Sequence, residues 1–261
     1  MPANSTTASL PSAGLWPQLR RLWRVARIIV HLLWGFLLAL LLGAFWWPCR
    51  PVVLAAKGRW CRQFLAILGV QLEVQGRPFA GPALLVSNHV SWLDIPVIAS
   101  RRHLYFLSKA EVGDWPLIGT LARAVGTLFI KRGSGESGRK AREIAARLRL
   151  GHTVLVFPEG TTTDGTGVRP FFPQLFEASL LSGVAVQPLA LCYLDEQGQP
   201  DRALAFIGDD EFHHHLWAML LRPTIRARLH FCAPLACLET DRRRLSEQAR
   251  ARILAQLPGA A

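Results

Sequence analysis

The residues best suited to chemistry lie in one short run, Ser87-Asn88-His89-Val90-Ser91-Trp92-Leu93-Asp94, directly after an apolar stretch. An imidazole with a reference pKa near 6.5 is a natural general base, and a carboxylate can orient it and stabilise its charged form. His89 and Asp94 are five residues apart. On one α-helix that separation is about 500°, leaving the side chains roughly 140° apart, so they cannot meet if both are helical. The pairing therefore predicts His89 in a loop and Asp94 in the first turn of the following helix. Pro96 fits, because proline is tolerated near a helix start. A second reading stays open: Ser91 and Asp94 have capping-box spacing, and His89 would then be an ordinary turn residue.

Three further clusters stand at the ends of apolar runs. Phe157-Pro158-Glu159-Gly160-Thr161 continues into Thr162, Thr163, Asp164 and Gly165. Such a loop can aim backbone N–H groups at an anion, and Glu159 adds an acid where strand meets loop; a simple polar turn is the alternative. Gly126-Thr127-Leu128-Phe129-Ile130-Lys131-Arg132-Gly133 delivers Arg132 to a strand end, where it could hold a phosphate bidentately or simply be solvated. Val186-Gln187-Pro188-Leu189 places a proline inside an apolar run, which predicts an edge strand or a bulge.

In this order the four clusters resemble the lysophosphatidate acyltransferase family, the glycerolipid acyltransferases with an N-H-x-x-x-x-D motif. Asn88, His89, Ser91 and Asp94 match its first motif, Phe129, Ile130 and Arg132 its second, Phe157 to Thr161 its F-P-E-G-T motif, and Gln187-Pro188-Leu189 its fourth. The resemblance covers residues 83 to 192, and weaker similarity runs to the carboxyl end. It implies transfer of a fatty acyl group from acyl-CoA or acyl-carrier protein to the sn-2 hydroxyl of 1-acylglycerol-3-phosphate, a step of phospholipid biosynthesis. His89 would take the hydroxyl proton, and Asp94 would orient His89. The Asn88/His89 turn or the Gly160 loop would supply N–H donors to the oxyanion. Arg132, Glu159, Gly160 and Thr161 would hold the acceptor's polar head, with Asn88 and Ser91 beside it and Lys109 assisting. Ser91 is no nucleophile, since no G-x-S-x-G elbow surrounds it. Transfer would be direct, with no acyl-enzyme, metal or cofactor. Two departures make lyso-ornithine lipid or another lysophospholipid the alternative acceptor, with lysophosphatidate kept first. Thr162 stands where many members have Arg, and Pro170-Phe171-Phe172-Pro173-Gln174 lacks the usual Lys and Gly. Arg169 would replace one lost cation.

The elements needed to position these residues are legible as alternation. Strand-like runs fall at 71–75, 83–87, 104–107, 127–131, 153–157, 184–193, 203–207 and 225–231. Helix-like runs fall near 92–100, 116–124, 137–150, 170–182, 210–221 and 240–257, the last with Thr240 and Asp241 as N-cap. This predicts an α/β fold with a mainly parallel twisted sheet flanked by helices, over residues 71–261.

Before it, residues 28 to 47 are almost wholly apolar. Twenty helical residues span roughly 30 Å, the hydrocarbon thickness of a bilayer. Arg20, Arg21, Arg24 and Arg27 precede the segment, Arg50, Lys57, Arg59 and Arg62 follow it, and Trp16, Trp23, Trp46, Trp47 and Trp60 flank it. The run is too long for a cleaved signal peptide. Pro48 and Pro51 break the helix, and an amphipathic stretch follows at 52–68. Residues 14–70 are thus expected to form a membrane-embedded element, a single span or a helical hairpin dipping into one leaflet, with the hairpin preferred. Residues 1–13 are expected to be a loose tail. The predicted location is the bacterial inner membrane, with the catalytic domain on the cytoplasmic side.

Composition bounds the alternatives. Of 261 residues, 51% are hydrophobic and 18% charged, which excludes general disorder. Net charge is +12 and the pI about 10.7, pointing to anionic partners such as lipid surfaces and acidic acyl donors. No nucleic-acid motif accompanies that charge. The five cysteines form no disulfide framework and no metal-like spacing. His213, His214 and His215 would point different ways on a helix and make a poor metal site.

Overall fold

The computed structural model describes residues 14–131, 135, 137–208, 210–237 and 241–259. The amino-terminal tail and Arg132 lie outside the described residues. Two long helices come first, α1 (Leu15–Leu41) and α2 (Pro51–Leu68). Pro51 begins α2, where its missing N–H costs nothing, and Gly69 ends it with φ of 78°, a left-handed conformation that suits glycine.

Among the described residues seven strands follow: β1 (Val70–Gly76), β2 (Leu84–Ser87), β3 (Tyr105–Lys109), β4 (Leu128–Ile130), β5 (Val154–Val156), β6 (Val186–Leu194) and β7 (Ile225–Phe231). They form one sheet in the order β1-β7-β6-β2-β5-β3-β4. Every pairing is parallel except β6 with β7. The connecting helices are α3 (Asp94–Ala99), α4 (Ala110–Gly113), α5 (Ile118–Ala124), α6 (Ser137–Arg149), α7 (Glu177–Ser182), α8 (Phe212–Met219) and α9 (Arg242–Leu254). The predicted α/β architecture is therefore the one formed.

Alternate strand residues face opposite layers, as the pleat requires. Leu85, Leu155, Leu189 and Leu191 pack with α1, α2 and α3 in one core. Leu84, Val86, Val154, Val156 and Ala190 pack with α6 and α9 in the other. Burial on both faces explains why the central strands are nearly continuous apolar runs. Helix α6 shows its core side as Ala141, Ile144, Ala145 and Leu148, the helical spacing. Asp241 caps α9 by accepting from the N–H groups of Arg243 at 2.7 Å and Arg244 at 3.0 Å.

One expected strand is absent, one helical turn is new, and of the two alternatives for Pro188 the bulge holds. The strand predicted at 203–207 does not form. A short 3₁₀ turn occupies Arg202–Leu204, and the Phe206 N–H goes to the Val90 carbonyl at 2.9 Å, not to a ladder. The helical turn Ala110–Gly113 was not predicted. Pro188 sits in a central strand, not at an edge, and the bulge accommodates it. Between the pairs Val186↔Leu235 and Leu189↔Phe231, two residues of β6 oppose three of the other chain. The Pro188 carbonyl accepts the Cys232 N–H at 3.0 Å, so its donor-free nitrogen falls on the side where β7 has ended.

Helices α1 and α2 are antiparallel neighbours docked on the domain. Arg24, buried, donates to the carbonyls of Leu220 at 3.2 Å and Pro223 at 3.1 Å, and to that of Arg222. His31 and Trp60 exchange two bonds of 3.0 Å between ring nitrogens and backbone carbonyls, their rings stacked at 4.4 Å. The inner stripe of α1 is Arg24, Ile28, His31, Gly35 and Ala39. Its outer face exposes Trp16, Trp23, Val30, Leu33, Trp34 and Leu37, among others. Among the described residues, α1 is the one helix long and apolar enough to cross a membrane.

Candidate active site

The chemistry-bearing loops leave the carboxyl ends of β2, β5 and β3, where ligands bind in open α/β sheets. His89 lies in the loop after β2, and Asp94 opens α3, as the spacing argument required. Nδ1 of His89 is 2.7 Å from Oδ2 of Asp94. That bond places a hydrogen on Nδ1 and leaves Nε2 as the basic nitrogen. The imidazole is 14% exposed, while Asp94 is fully buried. Phe157 stacks on the His89 ring with centroids 3.9 Å apart and planes 12° apart.

Asp94 does more than meet His89. Its Oδ2 also accepts the N–H groups of Val90 at 2.8 Å and Ser91 at 3.0 Å. Its Oδ1 accepts the Tyr193 hydroxyl at 2.7 Å. Asp94 thus accepts the Ser91 N–H, one half of a capping box, while it also meets His89, and the Ser91 hydroxyl does not complete the box. Tyr193 has no sequence motif to announce it. Its only signal is a hydroxyl at the far end of the apolar run 184–193.

Asn88 is completely buried, and its amide bonds both ways to the Leu191 backbone, each at 2.8 Å. It extends the β2–β6 pairing by one side chain and fixes the root of the loop. Ser91 is buried with its hydroxyl unpaired. Three backbone donors of this turn are spoken for: the His89 N–H goes to Glu159 Oε1 at 2.7 Å, and those of Val90 and Ser91 to Asp94. The Gly160 N–H goes to the Phe157 carbonyl at 3.2 Å. Of the turn and loop expected to supply N–H donors to an oxyanion, the His89 and Gly160 N–H groups themselves are thus engaged within the protein in this conformation.

Glu159 is 4% exposed. Its second oxygen accepts the Arg169 N–H at 2.8 Å. Both oxygens are therefore held by backbone, a structural tie where the sequence suggested a head-group contact. Burial pushes its carboxyl up to about 7, against the pull of those two donors. Gly160 adopts φ of 71°, and a Cβ there would meet the Phe172 ring at 2.6 Å. Thr161 is half-buried in the same loop. Thr162 donates to the Phe206 carbonyl, and Thr163 N–H to the His89 carbonyl at 2.8 Å. Lys109 ends β3 at the same edge and is exposed.

The structure thus gathers His89, Ser91, Asp94 and Glu159 into one bonded unit, rooted by Asn88 on the Leu191 backbone, with Gly160 and Thr161 beside it. Neighbouring α8 touches the unit where Trp92 Nε1 donates to His215 Nδ1 at 3.0 Å. On that helix Glu211, His213 and His214 bring possible ligand atoms within 4.8 Å of one another, closer than consecutive helical positions suggested. All three are exposed, and Glu211 pairs with both histidines, at 3.3 and 3.2 Å.

Comparison with known proteins agrees with this architecture. A family profile described as Acyltransferase matches residues 71–192. A lyso-ornithine lipid O-acyltransferase of Pseudomonas aeruginosa is 42% identical over 202 residues, 77% of this chain and 78% of the relative. A 1-acyl-sn-glycerol-3-phosphate acyltransferase of Neisseria meningitidis is 33% identical over 192 residues, 72% of this chain and 74% of the relative. The crystal structure of a 1-acyl-sn-glycerophosphate acyltransferase from Thermotoga maritima shares the fold, with a TM-score of 0.65 at 20% identity over 92% of this chain and 95% of that one. The likeness extends well beyond the four motifs, and it establishes that this chain is an O-acyltransferase belonging to the lysophosphatidate acyltransferase family of lysolipid-acylating enzymes.

Proposed function

We propose that the enzyme transfers a fatty acyl group from an acyl thioester to the free hydroxyl of a lysolipid, with His89 as general base and Asp94 as its orienting acid. The observation that carries this is the 2.7 Å bond from Nδ1 to Oδ2. It leaves Nε2 to take the hydroxyl proton as the oxygen attacks the thioester carbonyl. General-base assistance of this kind is typically worth roughly 10²–10⁴-fold. No acyl-enzyme is needed, and the donor is acyl-CoA or acyl-carrier protein, whose acidity suits a chain of net charge +12.

The acceptor we propose is lyso-ornithine lipid. Lysophosphatidate, put first by the family resemblance alone, becomes the second reading. Two observations move the choice. The relative at 42% identity is named for lyso-ornithine lipid, whereas the one named for 1-acylglycerol-3-phosphate stands at 33%. Thr162, where many members carry Arg, turns its hydroxyl onto the Phe206 carbonyl, so no cation projects from that position toward a terminal phosphate. The test is product analysis with both lysolipids in competition. Acylation of lyso-ornithine lipid alone supports the proposal; phosphatidate as the only product overturns the acceptor and keeps the chemistry.

We further propose that α1 and α2 form a hairpin embedded in one leaflet of the bacterial inner membrane, with the catalytic domain on the cytoplasmic side. Support comes from α1 being fastened at Arg24 to the turn before β7, at His31 to α2 and at Ala39 to the cluster with Ala124, while its outer face stays apolar. A helix held along its length in this way suits an interfacial site better than a perpendicular span. A cysteine placed at Gly14, with Cys49 changed to serine, should react with an impermeant maleimide from the same face as the catalytic domain. Labelling from the opposite face means a single span.

A further inference from the structure

The Asp94 carboxylate receives four donors, and they divide unevenly. Oδ2 takes His89, Val90 and Ser91. Oδ1 takes the Tyr193 hydroxyl. Tyr193 stands near the end of β6, 2% exposed, and burial together with Asp94 drives its phenol well above the ordinary range. It is therefore a neutral, permanent donor. Two residues earlier on the same strand, the Leu191 backbone grips Asn88. Strand β6 thus holds the catalytic loop on both sides of His89.

We propose that Tyr193 is a positioning residue for acyl transfer that acts through Asp94: it fixes the carboxylate's orientation and shares its charge, and so sets the basicity of His89. The proposal rests on His89 being the base. The physical reason is the competition among donors for one negative charge. A carboxylate with a hydroxyl on its far oxygen attracts an imidazolium less strongly than one without, so the imidazole stays unprotonated to a lower pH. The other titratable groups around the pair are Glu159, whose carboxylate holds the His89 N–H and feels the charge of Asp94, and Cys192 beside Tyr193. None of them bonds to Oδ1, so the tyrosine acts there alone among the described residues.

The test needs no lipid substrate. The His89 imidazole is titrated by NMR in ¹⁵N-histidine-labelled full-length protein in detergent, its signal assigned by its loss in His89→Gln. In Tyr193→Phe the midpoint should rise by roughly half a unit to one unit, the effect of removing one donor from a charged acceptor. A 3-fluorotyrosine at 193, which keeps the shape and strengthens the donor, should move it the other way. In turnover, Tyr193→Phe should lower kcat about tenfold with KM within about twofold, and the acid limb of kcat/KM should move up with the midpoint. In an Asp94→Asn background the same substitution should change kcat less than about twofold. An unmoved His89 midpoint in both tyrosine variants, or a kcat loss equally large with and without Asp94, overturns the proposal. Failure of the acceptor or base assignment shows separately, as missing product or as a His89 variant of full activity.

Discussion

Glu159 and His89 are joined side chain to backbone: Oε1 of the glutamate accepts the histidine's N–H at 2.7 Å. The other oxygen holds the Arg169 N–H at 2.8 Å. One buried carboxylate therefore sets the distance between the loop carrying His89 and the loop that follows the third motif. Because it uses backbone donors, the tie is blind to the side chains it joins.

This arrangement makes stability depend on pH in a definite direction. The Glu159 carboxyl is pushed up to about 7 by burial, above its unfolded value. Between the unfolded value and about 7 the native state binds more protons, so stability falls as pH rises through that window. Wild type should lose ~1–3 kcal/mol relative to Glu159→Gln on going from pH 5 to pH 8. Urea denaturation at the two pH values measures it; a difference that is constant or grows with pH contradicts the buried-acid account.

Gly160 is confined twice over, by φ of 71° and by the Phe172 ring, which lies 2.6 Å from where a Cβ would sit. Gly160→Ala should cost about 1–3 kcal/mol through backbone strain and displacement of the ring. It should also lower kcat, because Glu159 precedes it directly. Thermal unfolding and initial rates check both. An unchanged melting temperature would mean that the loop relaxes freely.

Phe157 lies flat against the His89 ring at 3.9 Å and limits its rotation. Phe157→Leu removes the flat face while keeping apolar bulk. We expect kcat to fall roughly 3–10-fold with KM little altered, the pattern of lost orientation. A change confined to KM would place Phe157 in substrate binding.

Arg24 fastens α1 to the turn before β7 through three backbone carbonyls. Arg24→Met keeps the stem and strips those carbonyls of their donor, at a cost of about 2–4 kcal/mol for a buried charged donor. Hydrogen exchange of α1 in detergent should quicken in the variant while the sheet stays protected. Equal protection of α1 in both proteins would show that lipid contacts alone hold the helix.

The parts of the site legible in the sequence are those written locally. His89 and Asp94 are close enough in the chain for helix geometry alone to force one into a loop and the other into a helix start, and the structure agrees. The apolar runs likewise marked all seven strands of the sheet and one segment that is not a strand. The misses have physical reasons. Residues 203–207 carry a strand-like pattern, but Val90 and Thr162 take up the backbone of Phe206, and patterning does not say which partner an extended segment will find. Pro188 escapes the edge rule because β7 ends beside it. Tyr193 reaches Asp94 across 99 residues of chain, and a hydroxyl in an apolar run names no partner. Glu159 was visible as an acid at a strand end, but its use on backbone N–H groups depends on a fold that residue type alone cannot express.

The central claim is that Nε2 of His89 removes the acceptor's proton. The most direct test compares product formation by wild type and His89→Ala, given an acyl thioester with lyso-ornithine lipid and lysophosphatidate, and read by mass spectrometry. The account predicts a loss of at least about 10²-fold in kcat for the variant, with an unchanged melting temperature and acylated ornithine lipid as the wild-type product. A variant that turns over within about tenfold of wild type would contradict His89 as the base, and with it the mechanism.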